Sequence, residues 1–161
     1  MNETKKSRID WVSLAVAVII PLAVGIASSL LSKGGFAKYA EIDKPSFSPP
    51  SAVFGIVWPI LYILMGISSY IIFKSGSEKR MDALTAYAVS LVFNFLWSIV
   101  FFGKEKYLGA FIVLLLLWIS IIFTIVLYRR INKTAALLQI PYALWVTFAG
   151  VLNFAVYLLN R

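Results

Sequence analysis

Apolar residues along the chain gather into five long runs, at 11–31, 51–73, 83–102, 107–128 and 134–159, with short polar stretches between them. Each run is long enough for the roughly 20 residues a helix needs to cross the hydrocarbon layer. No run contains Asp, Glu, Lys or Arg. The pattern predicts an all-α protein, a single bundle of five transmembrane helices over 1–161. The first run has a rival reading as a cleaved signal peptide, since Gly25-Ile26-Ala27 resembles a small-residue cleavage site. Its apolar stretch is long for that role.

The longest connection, 32–50, holds Gly34, Gly35, Pro45, Pro49 and Pro50, which predict irregular backbone up to the second run. Ser51 is then placed to cap that helix. Phe36, Tyr39 and Phe47 make the connection amphipathic. It folds back as a lid over the bundle, or its rings anchor in the headgroup layer. Pro59 predicts a kink in the second span, and Gly55 and Gly66 suit close approach to a neighbouring helix. A tight hairpin at 103–106 and a basic turn at Arg129, Arg130 and Lys133 join the later spans.

Composition agrees with this reading. The chain is 61% hydrophobic and 14% charged, against about 45–50% and about 25% in an ordinary soluble domain. The net charge of +8 sits between the runs, where it suits anionic lipid headgroups rather than nucleic acid. Alternating spans place nine basic residues on the N-terminal side and six on the other, which favours an inside N-terminus. Cysteine and histidine are both absent, so no disulfide, metal site or cofactor is expected. Coupled transporters and hydrolases place ionisable groups where these spans have none.

Three spans carry stripes at helical spacing. Trp58 and Tyr62 lie on the second, with Met65 one turn on. Phe93, Asn94, Trp97 and Phe101 lie on the third. Tyr142, Trp145, Ala149 and Asn153 lie on the fifth. Each stripe alone reads as helix packing, with asparagines bonding between helices. Together they combine flat rings with single polar groups, the make-up of a site for a large, flat, mostly apolar ligand. Trp11 is expected at an interface, and Trp118 against lipid or a partner subunit.

Lys44-Pro45 with Pro49-Pro50, then Trp58 and Leu61-Tyr62, form one motif. Asn94-Phe95-Leu96-Trp97-Ser98 with Phe101-Phe102 form a second. Pro141-Tyr142, Leu144-Trp145, Phe148-Ala149 and Leu152-Asn153 form a third. In this order the motifs resemble the TspO/MBR family, the tryptophan-rich sensory proteins related to the mitochondrial translocator protein. The resemblance implies a homodimeric five-helix membrane bundle whose first loop closes over a pocket for porphyrins, sterols or synthetic ligands, here in the cell membrane of a bacterium. Carried over residue by residue, the pocket comprises Ser29, Tyr39, Pro49, Trp58, Tyr62, Asn94, Trp97, Trp145 and Ala149. Some members resemble catalysts of light- and oxygen-dependent porphyrin breakdown, which would make Trp58 and Trp145 the catalytic residues. Sensor, enzyme and passive carrier share this pocket and stay open as readings. Two departures stand out: Phe47 replaces a common Trp, and Phe154, Ala155 and Leu158 replace the animal proteins' cholesterol motif.

Overall fold

The computed structural model describes residues 9–32 and 35–161. The basic residues Lys5, Lys6, Arg8 and Lys33, together with Gly34 and the side chain of Phe36, lie outside that description. Five long helices form the bundle: α1 (Trp11–Leu31), α3 (Ser51–Lys74), α4 (Arg80–Ser98), α5 (Tyr107–Ile131) and α6 (Lys133–Leu159). A short helix, α2 (Gly35–Glu41), lies in the first connection. All five are long and apolar enough to span a membrane, and the protein is a multi-pass integral membrane protein. Packing runs in a ring: α1 on α3, α3 on α6, α6 on α5, α5 on α4, and α4 back on α1.

The predicted spans hold with local corrections. The first connection is not irregular throughout. Tyr39 buries its ring against Phe54, Phe101 and Phe102, and the Lys44 ammonium donates to the Tyr39 and Ala40 carbonyls, so one segment coils as α2. Ser51 does not cap α3. Pro50 holds the extended cap position with ψ of 144°, no side chain caps the helix there, and Ser51 is already helical. The hairpin at 103–106 is widened, because α4 ends in a π-helical segment (Ile99–Gly103) closed by Lys104 N–H donating to the Ile99 carbonyl. The wider turn brings Phe101 and Phe102, four and five residues beyond Trp97, onto one buried face. Asn132 alone separates α5 from α6, and its side chain caps α6 by accepting from Ala135 N–H at 3.0 Å. α3 continues through Pro59, which supplies no N–H to the Gly55 carbonyl.

Two glycine positions decide how α1 meets α3. A Cβ on Gly66 would lie 2.5 Å from Val18 Cα, and one on Gly25 would fall inside the Tyr62 ring. The helices therefore touch along their middle and at the end where α1 begins. There Asp10 caps α1 through Ser13, its N–H donates to Tyr70 Oη at 3.0 Å, and its carboxylate meets Lys74 Nζ at 3.5 Å. Gly55 does the opposite of what the sequence suggests. A Cβ there would meet nothing within 4 Å, so α1 and α3 have parted at that level.

Gly66→Ala should force α1 off α3 and cost about 1–3 kcal/mol, as overpacking does, seen as a fall in thermal midpoint in detergent. Gly55→Ala should leave the midpoint level or raise it, because helix propensity favours Ala and no atom is displaced. The Ser13 hydrogen bonds, then Lys74, hold the Asp10 carboxyl below its usual range. A depressed carboxyl stabilises the folded state above its ordinary range and loses that contribution as pH falls through the lowered value. The protection factor of the Ser13 amide, its exchange relative to the intrinsic rate at each pH, should therefore fall on strong acidification, and Asp10→Asn should abolish that fall.

Candidate ligand-binding cleft

The parting of α1 and α3 opens a cleft of about 350 Å3, backed by α4. Its floor is the Gly25–Tyr62 contact, and Gly55, Pro59 and Ile26 stand along its lipid-facing side. Five predicted residues line it: Ser29, Trp58, Tyr62, Asn94 and Trp97. Trp58 stacks on Tyr62 with ring centroids 5.5 Å apart and planes at 28°, and lies 5.9 Å from Trp97. The second-span stripe and the third-span stripe thus form one continuous aromatic wall.

The polar groups behind this wall are bonded to each other. Tyr62 Oη donates to Asn94 Oδ1 at 2.9 Å, and Asn94 Nδ2 donates to Tyr142 Oη at 3.1 Å. Trp97 Nε1 donates to Asn153 Oδ1 at 3.1 Å, and Asn153 Nδ2 donates to the Tyr107 carbonyl at 2.8 Å. The asparagines therefore act as the sequence's packing reading supposed, joining α3, α4 and α6, while Asn94 also faces the cleft. Hydrocarbon offers these groups no other partner, so the bonds hold the rings in fixed orientations.

The remaining predicted residues are placed differently. Tyr39 and Ala149 line a neighbouring void of about 10 Å3 behind Trp97 and Phe102. Trp145 is half-buried and lines neither space; its ring meets Phe54 and Phe148 at 5.7 and 5.5 Å. Trp58 and Trp145 thus do not share the open cleft as expected, because Phe54 stands between them. Pro49 is half-buried in the connection and lines neither space. Phe54, Phe102 and Gly25 are cleft residues that sequence reasoning missed. Phe54 lies four residues before Trp58, a spacing that marks the same face.

The connection is fastened over this end of the bundle. Tyr39 Oη and Ser48 Oγ are 2.9 Å apart, and Asn160 at the end of α6 exchanges hydrogen bonds with the Asp43 backbone at 3.2 and 2.8 Å. Burial pushes the Tyr39 phenol above its ordinary range, the Ser48 contact opposing it, so the cover carries a neutral ring at physiological pH. Trp118 is partly exposed, its Nε1 donating to Thr147 Oγ1 at 2.9 Å, and Trp11 is exposed where α1 begins.

Five membrane helices, three of which wall an aromatic cleft with no charged lining residue, define a class of multi-pass membrane protein. Residues 17–159 match the model of the TspO/MBR family, and the chain belongs to that family. It is 39% identical to "Tryptophan-rich protein TspO" of Archaeoglobus fulgidus, over 91% of this chain and 96% of that protein. It is 34% identical to "Tryptophan-rich sensory protein" of Cereibacter sphaeroides, over 76% of each chain. "Translocator protein" of Homo sapiens shares 33% identity, over 91% of this chain and 89% of that one.

Asn94→Leu should leave the Tyr62 and Tyr142 hydroxyls without Asn94 and cost about 1–3 kcal/mol. Tyr62→Phe should cost less, near the ~0.6 kcal/mol average of membrane hydrogen bonds. Chemical or thermal unfolding in one detergent measures both.

Proposed function

We propose that the cleft binds flat, largely apolar tetrapyrroles of the protoporphyrin type, and that the protein acts as a membrane sensor or regulator of tetrapyrrole metabolism. The stacked Trp58–Tyr62 pair facing an open cleft of about 350 Å3 carries this reading. Stacking on fixed rings suits a planar macrocycle. The ring orientations are already paid for by the asparagine bonds, so little order need be imposed on binding. Pro59 leaves the Gly55 carbonyl, on the cleft's edge, able to accept from a ligand N–H or O–H. A chain without His or Cys lacks the commonest protein ligands for haem iron, which favours a metal-free macrocycle. The sensory part of the reading leans on the name of the Cereibacter sphaeroides relative.

A second reading, light- and oxygen-dependent breakdown of the bound porphyrin, is favoured by the Trp58 indole on the cleft wall, an electron donor placed against a stacked ring. Titration with protoporphyrin should quench tryptophan fluorescence saturably. Trp58→Phe should weaken binding about 3–10-fold, the factor carried by one aromatic contact. No saturable binding in detergent or vesicles would reject the binding function. Illumination in air separates the two readings. A distinct product spectrum, lost in the Trp58→Phe, Trp145→Phe double variant, supports turnover, and quenching without product supports the sensor.

A further inference from the structure

The cleft ends at the ring of Phe54. Phe54, Trp97 and Phe102 line both the open cleft and the small void beyond it, whose other walls include Tyr39 and Ala149. On its far side Phe54 meets Tyr39 and Trp145 edge-on, with centroids 5.9 and 5.7 Å away. Trp145 carries an anomaly. Its Nε1–H is buried and has no hydrogen-bond partner among the described residues. Trp97 donates to Asn153 and even the partly exposed Trp118 donates to Thr147. A buried N–H left unpaired within the membrane is costly and calls for a cause.

The walls around this point are held unequally. Tyr62, Asn94 and Trp97 are fixed by the hydrogen bonds already described, and Tyr39 by Ser48. Phe54 has no polar atom and is held by packing alone, and beside it Gly55 faces open space. A ring held only by dispersion and edge contacts can change rotamer without breaking a hydrogen bond.

We propose that Phe54 is a movable partition that sets the size of ligand the site accepts. With its ring in place, the cleft takes a flat molecule of two or three fused rings. With the ring swung aside, the cleft joins the small void, and the joined chamber reaches Trp145. The Trp145 Nε1–H then donates to an acceptor on the ligand, a carboxylate or carbonyl at the edge of a macrocycle. The inference deepens the porphyrin reading and rests on it for the identity of the large ligand; the partition itself can be tested without any ligand.

The test uses the full chain in detergent micelles, with Phe54→Ala, Phe54→Leu, and Trp145→Phe to assign the indole resonance. Without ligand, hydrogen–deuterium exchange at the Trp145 indole N–H should be slow in the wild type and at least about tenfold faster in Phe54→Ala, since the chamber then reaches it. Protoporphyrin should bind Phe54→Ala about tenfold more tightly, because the edge contacts of Phe54 no longer have to be broken. Acridine, small enough for the undivided cleft, should bind it equally or more weakly. In the wild type, protoporphyrin should move the Trp145 N–H resonance downfield as it gains an acceptor. Phe54→Leu should give the same directions at smaller size, and serves if the alanine variant does not fold. Unchanged indole exchange in both Phe54 variants overturns the partition. Faster exchange with unchanged or weaker porphyrin binding overturns its role in ligand size. Faster exchange when neither protein binds porphyrin supports the partition and removes only the tetrapyrrole.

Discussion

The lipid interior gives a polar side chain nothing to bond with, and this constraint organises the bundle. Asn94 and Asn153 must find partners inside the protein, and they find them across helix boundaries, on Tyr62, Tyr142, Trp97 and the Tyr107 carbonyl. The bonds to Tyr62, Tyr142 and Trp97 each fix a ring that apolar packing alone would leave free to turn, and the bond to the Tyr107 carbonyl holds Asn153 itself. The aromatic wall of the cleft is thus ordered by hydrogen bonds that run behind it, although Asn94 itself also faces the cleft.

The cleft itself comes from a change in backbone separation along one helix pair. Gly66 lets the α1 backbone in, and Gly25 gives the Tyr62 ring a seat. Beyond that contact the helices part, and Gly55 faces the space this leaves. Similar glycines in one apolar helix thus do opposite jobs. The π-helical end of α4 turns two successive phenylalanines, Phe101 and Phe102, inward together, and Phe102 lines the cleft while Phe101 lines the small void beside it.

Much of this was readable beforehand. The five spans followed from run length and the lack of charge. Trp58, Tyr62, Asn94 and Trp97 followed from helical spacing, and they do meet on one cleft. Ser29 was reached through family resemblance, and it lines the same cleft. Other features depended on neighbours the sequence does not name. Tyr39 coils its segment because α3 and α4 offer it three rings. Trp145 shares a helical face with Ala149, yet the side chain in front of it is Phe54, from a helix distant in the chain.

By itself the sequence determined that the chain crosses a membrane five times, which faces carry rings, and which chemistry is missing, because composition and period act locally along each helix. Only the tertiary structure decided where α1 leaves α3, which asparagine satisfies which ring, and that a phenylalanine separates Trp58 from Trp145. Those outcomes depend on the distance between two backbones and on the side chains meeting there, and no single helix contains that information.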